Sequence, residues 1–191
     1  MLEIRIHGRG GQGVVAASEI LAIAFFKDGK KSQAFPNFGV ERSGAPIQSF
    51  VRVSDEEILS REHVYSPDIL IIQDDSLIGR ANIFSGIKKE TIIIINSKEN
   101  VDQLFLKIEK EEVLPKNFKK SNLLSVDASQ IALEIFKRNI VNTSILGALA
   151  KVPNLISLKS IISAIEEKFS DKDKNIIEKN ILAIKKTYNL K

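Results

Sequence analysis

The chain has 191 residues, 43% hydrophobic and 27% charged, which fits a soluble globular domain long enough to bury a sizeable core. Its net charge of +4 is too small to argue for nucleic acid, and the densest basic cluster, Lys116 to Lys120, reads as a solvated loop. There is no cysteine, which excludes disulfides, a thiolate nucleophile and a Cys-ligated iron–sulfur cluster from this chain, and two histidines, His7 and His63, are too few for a zinc site.

Taken in chain order, Leu2 to His7 predicts a buried strand, followed by the glycine-rich stretch His7 to Gly13, HGRGGQG. Val14 to Lys27 predicts a helix, because Val14, Ala17, Leu21 and Ala24 fall on one face. Gly29 is placed to end that helix in the left-handed conformation. A short strand is expected over Lys31 to Ala34. Phe35 to Pro46, FPNFGVERSGAP, reads as a loop punctuated by Pro and Gly. Ile47 to Val53 alternates as a strand. Ser54 and Glu57 have the spacing of a capping box and predict a short helix through Ile58 and Leu59.

Ile69–Ile72 and Ile92–Ile95 are continuous apolar runs of strand length, as inner parallel strands require. Leu123 to Val126 is a shorter third. Asp127 with Gln130 caps a helix carrying Ile131 to Phe136. After Asn142 the pattern is mostly helical. Ser157 caps a helix with Ile161, Ile162, Ile165 and Phe169, and a last helix aligns Ile177, Ile181, Ile184 and Tyr188. Lys107 to Lys120 reads as a polar surface excursion. The expected fold class is α/β: a single Rossmann-like domain over residues 1–191, with a mostly parallel sheet and a helical C-terminal region. Charges interrupt the first apolar run, so it is no signal peptide, and no run is long enough to span a membrane. A cytoplasmic location is the default.

Gly8, Gly10 and Gly13 spell G-x-G-x-x-G between a strand and a helix. Such a turn lets backbone N–H groups approach an anion at the helix N-terminus. An NAD site also needs an acidic residue roughly 20 positions on, to hold the ribose. Here that stretch reads KKSQAF and offers Gln33 or Ala34. The loop Gly8, Arg9, Gly10, Gly11, Gln12 and Gly13 is therefore read as an anion site for another phosphate, or as a bare turn. Arg9 either reaches a phosphate bidentately or pairs with a neighbouring acid. Phe35, Pro36, Asn37, Phe38, Gly39, Glu41, Arg42 and Gly44 form a second candidate, an interface or site loop, because aromatic residues in a long irregular segment are costly to leave in water. Asp74-Asp75 at a strand end is read as helix capping in preference to acid/base chemistry. The Gly147–Ala148 patch is read as close packing. No catalytic residue and no metal ligand set is found.

RGGQG, FPNFGVERSGAP, SPDILIIQD and NTSILGAL, in that order and over nearly the whole chain, resemble the gamma subunit of 2-oxoacid:ferredoxin oxidoreductases, with the pyruvate (pyruvate synthase) type most similar. The resemblance implies a complex that converts a 2-oxo acid and coenzyme A to acyl-CoA and CO₂ while reducing ferredoxin. It implies alpha, beta and delta partner subunits, and no nucleic-acid or membrane partner. Thiamine diphosphate, magnesium and [4Fe–4S] clusters would sit in the partners, and the gamma chain would be non-catalytic, structural and associated with coenzyme A. The glycine loop would then face a coenzyme A phosphate. Two competing readings remain: a stand-alone nucleotide-binding Rossmann-like protein, and a pure scaffold.

Overall fold

The computed structural model describes residues 1–37, 44–111 and 113–190. It contains strands β1 (Leu2–Arg9), β2 (Lys31–Asn37), β3 (Pro46–Ser54), β4 (Ile69–Ile72), β5 (Ile92–Asn96) and β6 (Leu123–Val126). Six helices accompany them: α1 (Val14–Lys27), α2 (Val101–Lys110), α3 (Ala128–Phe136), α4 (Leu146–Leu149), α5 (Leu158–Lys168) and α6 (Lys174–Asn189). The strands form one sheet in the order β2-β3-β1-β4-β5-β6. β1, β4, β5 and β6 are parallel neighbours, whereas β3 runs antiparallel to both β1 and β2. The sheet is thus mostly parallel, with an antiparallel hairpin on one side.

Alternation along the strands divides the core in two. Ile4, Ile6, Ile69, Ile71 and Ile94 pack with Val14, Ala17, Leu21 and Ala24 of α1 and with Ile161 and Ile165 of α5. Leu70, Ile72, Ile93 and Ile95 meet Leu104 and Ile108 of α2 and the turns holding Leu77 and Phe84. All four α1 residues expected on one face are fully buried. Asp28, at the end of α1, accepts from Ser157 N at 2.9 Å and from the hydroxyls of Ser157 and Ser160. One carboxylate therefore ties the end of α1 to the start of α5.

Three sequence expectations are corrected. The helix expected from Ser54 through Leu59 does not form. Ser54 Oγ accepts only from Glu56 N, at 3.1 Å, and the chain continues irregularly to Pro67. Two buried arginines take that segment's carbonyls instead. Arg52, paired with Glu3 at 2.8 Å, also donates to Ser60 O and His63 O, and Arg5 donates to Val64 O and Tyr65 O. Second, α2 occupies part of the stretch read as a polar excursion. Asn100 and Gln103 form a reciprocal capping box, and Leu104 and Ile108 are buried in the core with Val101 and Phe105 packed partly buried beside them. Third, β2 extends through Phe35, Pro36 and Asn37, which the sequence pattern places in the following loop. They are held by register with Phe50, Ser49 and Gln48 of β3.

Candidate functional site

The glycine loop lies at the carboxyl ends of β1 and β4, two adjacent parallel strands. The connection from β1 runs to the β2–β3 side of the sheet, and the connection from β4 runs to the β5 side. This divergence opens the crevice in which α/β proteins place ligands. β3 sits between β1 and β2, so the end of β2 is not beside the loop. The place where a dinucleotide's ribose would find its acidic partner is displaced by one strand, which agrees with the absence of an acid in KKSQAF. That topology disfavours the stand-alone dinucleotide reading.

Gly13 is the residue before α1 and adopts φ +75°, in the left-handed region. A side chain there would also strike Asn142, whose Cγ lies 2.9 Å from the position a Cβ would take. Asn142 opens the NTSILGAL motif, so two separate sequence motifs meet at this point. The neighbouring Thr143 is completely buried and donates to Asn180 Oδ1 of α6 at 2.7 Å, which holds the motif in place.

Arg9 is engaged within the protein. Its Nε donates to Asp74 Oδ2 at 3.1 Å, its Nη2 to Ser76 Oγ at 2.7 Å and its Nη1 to Gly44 O at 3.0 Å. Of the two sequence readings for Arg9, the geometry is that of pairing with a neighbouring acid. Gln12 closes the same network: its Oε1 accepts from Arg9 N at 2.8 Å and its Nε2 donates to Asp74 Oδ2 at 2.9 Å. Burial raises the Asp74 pKa, but hydrogen bonds from Ser76 and Gln12 and the charge of Arg9 outweigh it, so the carboxyl stays below its ordinary range. Asp74 also caps the turn Asp75–Leu77 by accepting from Ser76 N, as expected from sequence. Asp75 instead accepts from Ser97 Oγ. The second candidate loop is described only at its ends. Gly10 N donates to Ala45 O at 2.9 Å, and Gly44 N donates to Gly10 O at 3.1 Å. Phe38, Gly39, Glu41 and Arg42 lie outside the described residues.

His7 is packed beneath the loop, on the sheet face opposite α1. Burial, reinforced by the charge of Arg5, pushes its pKa down to about 3. It is neutral at physiological pH and positioned as a structural residue. Unfolding restores an ordinary pKa near 6.5, so between about pH 6.5 and 3 the unfolded chain binds more protons than the folded one. Stability is therefore expected to fall as pH drops through that window. Urea midpoints measured at pH 7 and pH 4.5 check this: His7→Gln should show a shallower loss than the parent chain. Equal slopes would mean that other groups set the acid limit.

The pyruvate ferredoxin/flavodoxin oxidoreductase family model matches residues 3–190. The chain belongs to this family. Members are similar over nearly their full length. The pyruvate/ketoisovalerate oxidoreductases common subunit gamma of Thermococcus kodakarensis is 46% identical over 190 residues, covering 99% of this chain and 96% of the relative. The pyruvate synthase subunit PorC of Methanothermobacter marburgensis is 46% identical, covering 92% of each chain. The crystal structure of the pyruvate oxidoreductase subunit PORC from Thermotoga maritima superposes with a TM-score of 0.80 at 35% identity, covering 98% of this chain and 94% of that one. The family assignment agrees with the sequence resemblance, and the α/β architecture is that of the PORC structure. Among the described residues, no helix is long and apolar enough to cross a membrane.

Sequence reasoning missed three contributors to this region. Asn142 stands in the NTSILGAL motif, where only the Gly147–Ala148 patch is given a reading. Gln73 stands in SPDILIIQD just past the Ile69–Ile72 strand and carries no local signal of its own. Arg5 was passed over as a charge within an apolar run. The alternation of β1 could have flagged Arg5, because Arg5 and His7 share a face that the sheet buries.

Proposed function

We propose that this chain is the gamma subunit of a cytoplasmic, multisubunit pyruvate (2-oxoacid):ferredoxin oxidoreductase. The observation that carries the reading is its near-full-length similarity to the common gamma subunit of the Thermococcus enzymes. Its partners are the alpha, beta and delta subunits, and ferredoxin reaches it through the complex. The complex oxidises the 2-oxo acid, transfers the acyl group to coenzyme A, releases CO₂ and passes the electrons to ferredoxin. Thiamine diphosphate, magnesium and [4Fe–4S] clusters are held by the partners. The donor set here does not fit a cluster, since the sequence offers no cysteine.

Within that assembly the chain supports and orients; it does not perform bond chemistry. Its glycine loop, Gly8 to Gly13, faces coenzyme A. Arg9 acts there as an internal brace, because its three donor groups are committed to Asp74, Ser76 and Gly44. Co-expression with the neighbouring genes tests the assignment. A tagged chain is expected to carry brown, cluster-bearing subunits through purification, with coenzyme A-dependent pyruvate oxidation in the eluate. A chain that elutes as a free monomer from its native cells would sink it.

A further inference from the structure

At the end of the sheet opposite the glycine loop, the chain carries an open cleft of about 1140 Å³. Leu2, the first residue of β1, lines it, and the glycine loop follows the other end of β1. At about 3.3 Å per strand residue the two lie roughly 20 Å apart. The walls of the cleft come from the end of α1, the turn after β3 and the connection between α4 and α5. Its floor is apolar: Val53 and Ile156 are buried there, and Leu2, Ala150, Val152 and Leu155 are only half-buried. Its rim is acidic, with Asp55, Glu56 and Glu57 exposed beside β3. Lys30 pairs with Asp55 at 2.6 Å, whereas Glu56 and Glu57 have no ion-pair partner among the described residues.

The walls are fixed before anything binds. Asp28 ties the end of α1 to the start of α5 through Ser157 and Ser160. Arg52 donates to Ser60 O and His63 O and so anchors the segment that follows the rim acids. A surface already in shape loses little freedom when a partner arrives.

Two features separate this cleft from a small-molecule pocket. It is open, and it is larger than the roughly 300–1,000 Å³ usual for such sites. Buried polar atoms without a partner mark a place that a small polar ligand completes, and among the described residues none of these lines the cleft. An apolar trough with a carboxylate rim suits a polypeptide instead. Such a segment lays a large apolar side chain on the floor and brings lysine or arginine to Glu56 and Glu57. A symmetric pair of copies does not supply this, because it sets one acidic rim against another.

We propose that this cleft docks a basic segment with an apolar anchor, supplied by another subunit of the oxidoreductase. The inference rests on the gamma-subunit reading above and adds to it a place and a chemistry for one subunit contact. That contact lies at the amino end of the sheet and leaves the glycine loop, at the carboxyl end, uncovered.

The test uses the co-expressed complex. Pro153→p-benzoylphenylalanine puts a photoreactive group on an exposed wall of the cleft. Irradiation and peptide mapping are expected to join it to a segment of a co-purifying subunit with net positive charge and at least one large apolar residue. Glu56→Lys combined with Glu57→Lys reverses the rim. Both side chains are exposed, so the melting temperature of the chain should not change. Its affinity for the remaining subunits should fall roughly tenfold or more at about 0.05 M salt, and the gap should narrow at about 0.5 M, where exposed charges are screened. In an assembled complex, a cross-link to a segment without net positive charge, to a second copy of this chain or to no protein at all would overturn the docking site. So would parent-like affinity of the reversed chain at low salt. Both results leave the gamma-subunit reading standing. A native chain that purifies without any partner subunit removes that reading, and the docking site with it.

Discussion

Replacing Arg5 with methionine is expected to destabilise the chain by about 3–5 kcal/mol, the range for removing one member of a buried charged network. Arg5 is 5% exposed, and burial lowers its pKa only to about 10, so it remains a cation at neutral pH. Among the described residues it has no carboxylate partner. Its charge is balanced by four carbonyls, from Val64, Tyr65, Ile83 and Ser85. These belong to two separate irregular segments, so one guanidinium fastens both to the sheet. Methionine fills similar volume but leaves the carbonyls without a donor. Lysine is expected to recover less than half of the loss, because an ammonium group is compact and cannot span four acceptors in a planar fork. Urea midpoints of the parent, Arg5→Met and Arg5→Lys decide the matter, and an Arg5→Met midpoint equal to the parent's would contradict the clamp. Arg5→Met carries a second signature. The His7 pKa should rise, since the Arg5 charge is one of the two causes that lower it.

The second large effect is expected at Gly147. α4 crosses α6 so closely that a Cβ on Gly147 would fall onto Ile184 O and lie 2.9 Å from Thr187 Cβ and 3.1 Å from Tyr188 N. Two of these three are backbone atoms of α6, which cannot yield without moving the helix. Gly147→Ala should therefore cost roughly 1–3 kcal/mol or more, the price of overpacking a dense contact. The same displacement strains the Thr143–Asn180 bond, which joins this region to α6, and with it the placement of Asn142 beside Gly13. Thermal unfolding of Gly147→Ala should show a lowered midpoint, and an unchanged one would mean that the helices do not approach this closely in solution.

Periodicity made much of the fold legible. Val14, Ala17, Leu21 and Ala24 identified α1 with its correct bounds, and the isoleucine runs identified β4 and β5, because buried parallel strands and amphipathic helices leave distinct patterns. The cap residues Asp127 and Ser157 were equally readable, since each accepts a backbone N–H within three residues of itself. Local patterns failed where distant residues decide the outcome. Ser54 to Glu57 has a helix-starting spacing, but Arg5 and Arg52 draw the following carbonyls away. α2 is hard to read because charged residues crowd its second half and only Leu104 and Ile108 are fully buried, with Val101 and Phe105 partly so, although the Asn100–Gln103 pair marks its start. The insertion of β3 between β1 and β2 left no local sign at all. For the site, the glycine spacing was plain. The partners Asp74, Gln73 and Asn142 lie far along the chain, and only the sheet order brings them to it.

The β1–β3 ladder continues to Arg9 and Pro46, and hydrogen bonds between Gly10 and residues 44–45 prolong it into the glycine loop. The start of the hairpin strand and the turn before α1 are consequently one mechanical body. If an anion binds at the first turn of α1, any factor by which a partner subunit holding Gly44 and Ala45 changes its affinity is matched by the same factor in the affinity for that partner. Assembly and ligand occupancy would be reciprocal quantities, each measurable through the other.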